Sequence, residues 1–275
     1  MLRGLFGRAP RKPVAVPDAL WQAALAGLPF LGGLTIDELQ RLRSLAAAFL
    51  AEKQMAGAGG LQLNAEMQVN VAAQACLPIL ELGLEWYRGW SGIVVYPGEF
   101  LVPRSITDES GVVHEYTEPI TGEAWEGGPV LLSWDDALKT RSESGIAYSV
   151  VIHEFTHKLD LLNGAADGVP AFSPTLHPQL RAEAWRAALE EAYQSFVAEL
   201  DLVENELPFD VDPDSESADR YYAHLPLDAY AGQDEGEFFA VSSEAFFVDP
   251  ARLQAAFPLW YDLLTRFFRQ EPLRR

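Results

Sequence analysis

The sequence predicts an α+β fold: a mostly helical domain built around one small twisted β-sheet, with helices on its N-terminal side. Three observations carry that reading. The chain has 275 residues, 49% of them hydrophobic, enough for one large domain with its own core. Apolar residues recur at helical spacing before residue 80 and again beyond residue 144. Between these stretches, residues 91–134 carry short β-rich runs separated by Gly and Pro. The expected organisation is a flexible basic arm over residues 1–16 and a single domain over 17–275. Within that domain, 17–90 is the helical part and 91–275 holds the sheet and the later helices.

The elements follow in order. The arm is basic (Arg3, Arg8, Arg11, Lys12) but has no apolar run behind its charges, so it lacks a signal-peptide core. Residues 17–80 read as helical. Thr35-Ile36-Asp37-Glu38 has the form of a capping box, followed by Leu39, Leu42, Leu45, Ala46 and Leu50 at helical spacing and by the stop Gly57-Ala58-Gly59-Gly60. A second helix is expected from Ala65 to Leu80. Strands are expected at Gly92–Pro97, Val112–Tyr116 and Pro129–Trp134. Helices return at Ser144–Leu162, stopped near Asn163-Gly164, and at 178–200. Glu199 to Asp219 holds nine acidic residues, two prolines and no basic residue, which reads as a solvated mobile loop. Helices over Glu235–Phe247 and Pro250–Gln270 complete the chain.

Charge and cysteine content narrow the function. Lys plus Arg total 20 against 40 for Asp plus Glu, a net charge of -20. Such a chain is repelled by phosphate backbones and anionic lipid, so neither direct nucleic-acid binding nor membrane association is expected. No run approaches the ~18 apolar residues of a spanning helix. The single cysteine, Cys76, excludes an internal disulfide and a Cys-based zinc cluster, and fits a reducing compartment.

The chemistry is concentrated in Val150-Val151-Ile152-His153-Glu154-Phe155-Thr156-His157. It holds His-Glu-x-x-His. Two histidines four apart share one helix face, so both imidazoles can reach one Zn²⁺. Glu154 lies beside that face, where a base can take a proton from a zinc-bound water. The apolar flanks suit a buried zincin-type helix. The alternative is a buried helix whose two histidines only hydrogen-bond. A metzincin extension needs Gly at position 160 and His at 163; the residues are Asp160 and Asn163.

A third protein ligand must come from farther along, with His177, His224, Glu237 and Glu244 as candidates. Glu237 and Glu244 are seven residues apart in a largely apolar helix and share one face. Buried carboxylates need partners. One can bind the metal while the other receives an imidazole N–H; the alternative is pairing with an arginine such as Arg181 or Arg252. Spacing does not decide which glutamate is the ligand. Tyr230, seven residues before Glu237, offers a phenol to a developing oxyanion, or equally packs beside Tyr221 and Tyr222. His177 is expected to be exposed, and His224 and His114 to be structural.

On these residues the chain resembles the Mlc titration factor A family of zinc-dependent peptidases, whose catalytic domain is related to that of anthrax lethal factor. The resemblance covers about residues 17–272. It is carried by Leu77-Pro78-Ile79-Leu80-Glu81-Leu82-Gly83-Leu84-Glu85-Trp86, Ile152 to Asp160, Asp228-Ala229-Tyr230 and Glu237 to Phe247. It implies one Zn²⁺ held by His153, His157 and Glu237, with Glu154 as general base and Tyr230 beside the site. It further implies a cytoplasmic, aminopeptidase-type enzyme for small peptides, and binding to a transcriptional repressor of the Mlc type in sugar-uptake regulation. A regulatory protein with a mainly structural zinc is the alternative. The acidic stretch and the N-terminal arm depart from the family pattern.

Overall fold

The computed structural model describes residues 15–107, 113–142, 144–213, 215 and 217–275. Residues 1–14 of the basic arm and Val112 of the second expected strand lie outside the described residues.

Helices α1 (Asp18–Gly27), α2 (Ile36–Glu52) and α3 (Ala65–Cys76) form the N-terminal side. The capping box at the head of α2 is complete: Thr35 Oγ1 accepts from Glu38 N, and the Glu38 carboxylate accepts from Thr35 N at 2.8 Å. Two expectations change here. The first helix stops at Glu52, before the glycine run, and the chain enters a strand, β1 (Gln54–Gly57). Lys53 drives this break by turning inward, where its ammonium is bonded by the carbonyls of Tyr87 and Trp90. The helix expected to reach Leu80 ends at Cys76, and turns cover the next residues.

The remaining strands are β2 (Gly92–Tyr96), β3 (Phe100–Thr107), β4 (Val113–Ile120), β5 (Gly122–Ala124) and β6 (Val130–Ser133). They make two sheets rather than one. Four strands run in the order β1-β2-β6-β5, parallel except for the antiparallel β5–β6 pair. β3 and β4 form a separate antiparallel hairpin.

A short helix α4 (Trp134–Ala137) leads toward α5 (Val150–Asp160), which begins six residues later than its sequence suggested. Residues 144–149 are instead spent on a turn and an isolated bridge between Arg141 and Ala147. Asn163-Gly164 ends the segment as expected, with Gly164 at φ 100°.

Helix α6 (Ala182–Glu206) enters the acidic stretch, so its first part is not a loop. The apolar stripe Trp185, Leu189, Ala192, Phe196 continues through buried Leu200 and Val203 and outlasts the onset of charge. After α7 (Asp219–Tyr222) come α8 (Glu235–Val248), α9 (Pro250–Ala256) and α10 (Pro258–Phe268). Pro258 splits the long helix expected over 250–270. The core is continuous from Val16 through α5, α8 and α10, and Phe155, Trp185, Phe238, Phe239, Trp260 and Phe267 are fully buried. No helix among the described residues is long and apolar enough to cross a membrane.

Candidate metal centre

Helix α5 is held at its head by polar contacts inside the core. Ser149 Oγ accepts from Ile152 N at 3.2 Å and donates to Gln74 Oε1 at 3.0 Å. Gln74 in turn donates to Asn70 Oδ1 and Ala137 O, both at 2.9 Å. The apolar face of α5 packs through Phe155 against the rings of Phe49, Tyr87 and Trp90. His153 and His157 are thereby fixed on one face of a helix with little freedom.

The first turn of α8 brings Glu237 to them. Asp234 caps this helix, its Oδ1 accepting from Glu237 N at 2.9 Å. Glu237 Oε2 then lies 3.0 Å from His153 Nε2 and 3.3 Å from His157 Nε2, and the two imidazole nitrogens are 3.1 Å apart. Among the described residues, these three form the one group of His, Cys, Asp or Glu whose donor atoms converge as a metal would require. Tetrahedral bonds of ~2.0–2.1 Å set ligand atoms about 3.3–3.4 Å apart, close to the three edges observed. The donor set, two imidazoles and a carboxylate, is one that catalytic metal sites use.

The same contacts shift the titration of the group. Burial alone would raise the Glu237 carboxyl, but hydrogen bonds from His153 and His157 hold it far below the usual range. Burial would lower His153, yet its bonds to Glu237 and Glu244 push it well above the ordinary imidazole value.

Glu244 does not join the donor group. Its Oε1 sits 2.8 Å from His153 Nδ1, and its other oxygen accepts from Ser149 N. A carboxylate only accepts, so Nδ1 carries a proton toward Glu244; once Nε2 gives up its own proton, its lone pair points toward Glu237 and His157. The arginine alternatives are used elsewhere: Arg181 donates to Pro178 O and Leu180 O, and Arg252 to Ala223 O.

Glu154 is buried at the edge of the group, 4% exposed, and its Oε2 has no hydrogen-bond partner. Burial pushes its carboxyl up to about 7, against the pull of His153 and His157. Tyr230 lies in a single helical turn, Ala229–Gly232, where Asp228 Oδ1 accepts its N–H at 3.1 Å. Its ring is 5.9 Å from that of His153, and the residue is 46% exposed.

Other expected residues lie apart. His177 is not exposed: it is buried among Trp86, Phe172 and Phe267, accepting from Ser173 N at 3.1 Å and donating to Phe267 O at 3.0 Å. Burial lowers its pKa. His224 is exposed and outside the donor group. The side chain of His114 lies outside the described residues.

Three contributors escaped the sequence reading. Lys158 donates to Trp125 O and Gly128 O and ties the β5–β6 turn to α5. Asp160, fully buried, accepts from Gly168 N at 2.7 Å. Gly122 on β5 lies against Glu154. The first two carry a faint signal, as charged residues in an otherwise apolar helix; Gly122 carries none.

Comparison with known proteins agrees with this chemistry. The family model described as glucose-regulated metallo-peptidase M90 matches residues 7–269. Mlc titration factor A of Klebsiella pneumoniae subsp. pneumoniae is 37% identical over 256 residues, 93% of this chain and 87% of that protein. The protein of the same name from Salmonella arizonae is 36% identical over 259 residues, covering 94% and 93%. That of Serratia proteamaculans is 37% identical over 265 residues, covering 96% and 92%.

Proposed function

The chain belongs to the glucose-regulated metallo-peptidase M90 family, and from that premise we propose that it is a zinc-dependent, zincin-like peptidase of aminopeptidase type acting on short peptides. The observation that carries the reading is one cluster: His153, His157 and Glu237 as ligands, with the buried Glu154, whose Oε2 has no partner, beside them.

A bound Zn²⁺ supplies a Lewis acid that acidifies water and polarises a peptide carbonyl. Glu154, buried beside the two histidines, takes the proton of the attacking water and passes it to the leaving amine. Tyr230, exposed at the rim, donates its phenolic hydrogen to the oxyanion as the carbonyl is attacked. Glu244 holds the His153 proton on Nδ1 and so keeps Nε2 available as a ligand.

The relatives' name supports a second role in the same chain, binding a transcriptional repressor of the Mlc type, a role that would be played in the cytoplasm. A mainly structural metal fits the site less well, because such a site has no use for a buried carboxylate with an unpartnered oxygen at its edge.

Metal analysis and a peptide panel test both halves. Ala in place of His153, His157 or Glu237 should abolish stoichiometric zinc binding. Full zinc retention in Glu237→Ala would remove it from the ligand set. Glu154→Gln should keep zinc and fold while turnover falls ~10²–10⁴-fold. A zinc-loaded Glu154→Gln enzyme with wild-type turnover would refute the mechanism.

A further inference from the structure

Strand β5 begins at Gly122, which pairs in register with Leu132 of β6. Glycine weakens a strand relative to Ala, so its presence there calls for a reason. Backbone geometry does not give one, because Gly122 is not among the residues with left-handed φ. The reason lies across the site. A methyl group on Gly122 would stand 2.7 Å from Glu154 Cγ and 2.8 Å from its Cδ, closer than carbon atoms approach without displacement.

Neither backbone is free to retreat. The head of α5 is pinned by the Ser149–Gln74 and Ser149–Glu244 hydrogen bonds, and Lys158 clamps the β5–β6 turn to the same helix. Register with β6 fixes Gly122 along the strand. The part that can yield is the Glu154 side chain, already buried and without a partner for one oxygen.

We infer that Gly122 is a positioning residue: the absence of a side chain there reserves the volume in which the Glu154 carboxylate lies. This rests on the reading of Glu154 as the base, but the steric part stands separately. An alanine at 122 takes that volume and turns the carboxylate out of place; the three nearest atoms its methyl would meet all belong to Glu154 and none to the metal ligands.

The test is a double-mutant cycle on Gly122→Ala and Glu154→Ala, read first by thermal unfolding of the purified protein. Gly122→Ala should lower Tm in the parent. In the Glu154→Ala background it should be neutral or raise Tm, because the methyl enters vacated space. Equal Tm shifts in both backgrounds would overturn the inference. Zinc stoichiometry should be unchanged in Gly122→Ala, with kcat down on the order of 10²-fold and KM little altered. Wild-type kcat would also overturn it. Should Gly122→Ala fail to fold, the double variant decides: recovery of folding supports the reserved volume, and failure in both backgrounds refutes it. If Glu154→Gln keeps full turnover while the Tm cycle is non-additive, the assignment of the base falls and the packing role of Gly122 remains.

Discussion

Replacing Glu244 by Gln probes the link between the fold and the donor group, and its cost can be worked from two contacts. The carboxylate accepts at both ends, from His153 Nδ1 at 2.8 Å and from Ser149 N. Glutamine has one acceptor oxygen and one NH₂ group, so it satisfies only one of these donors. If its oxygen faces Ser149, the NH₂ forces His153 Nδ1 to accept and moves the ring proton to Nε2, the atom proposed as the ligand. If its oxygen faces His153, two N–H groups oppose each other at the head of α5. Glu244 is 3% exposed, so water offers little relief. A buried donor left unpaired costs ~1–3 kcal/mol. Losing a hydrogen-bond partner of a metal ligand typically lowers affinity 10–100-fold, or ~1.4–2.7 kcal/mol. The two ranges overlap, so zinc affinity in Glu244→Gln should fall ~10–100-fold in the first arrangement, and Tm should drop in the second. Competition against a chelator of known affinity, with thermal unfolding alongside, measures both. Wild-type zinc affinity together with wild-type Tm would refute the reasoning.

Two further outcomes are expected. Asp160 holds a proton up to about pH 7 in the folded chain because burial raises it, whereas the unfolded value is 3.8. The folded state thus binds the extra proton between these values, and the residue's contribution to stability falls as pH rises through about 4 to 7. Asp160→Asn should flatten that part of the Tm–pH curve, and parallel curves for the two proteins would contradict this. Leu200→Ala should destabilise the protein by about 2 kcal/mol, the low end for a truncated buried leucine. The urea midpoint should fall without a change in m, and a loss below about 0.5 kcal/mol would return this segment to the solvated loop its charges suggested.

Much of the fold and the site was legible because several signals agreed. The Thr35 capping box, the apolar face of α5 and the Asn163-Gly164 stop each coincide in sequence and structure. The two histidines announce themselves because helical geometry converts a spacing of four into proximity. What could not be read depends on contacts distant along the chain. Strand β1 is four residues of exposed edge with no alternation, and only its parallel partner β2 defines it. Glu237 and Glu244 had equal standing by spacing, and their different places follow from α8 crossing α5 so that one carboxylate meets Nε2 and the other Nδ1 of His153. The prolines beside His177 point to exposure, yet Trp86, Phe172 and Phe267 enclose it. The charges of the acidic stretch point to a loop, yet the apolar stripe continuing through Leu200 and Val203 keeps its first part helical.

The end of α6 gathers Glu199, Asp201, Glu204 and Glu206 where the helix turns its carbonyl oxygens outward, with no basic residue in its last turn. A helix macrodipole is negative at that end, so side-chain charge and backbone dipole add rather than cancel. The last turn is therefore held by burial on one side and opposed by its own field on the other. Raising ionic strength weakens only the second influence, so amide exchange near Glu204–Glu206 should slow with added salt while the buried turns of α6 are indifferent to it. The same concentration of field makes this corner repellent to polyanions, a local reinforcement of what the net charge of -20 does for the whole molecule.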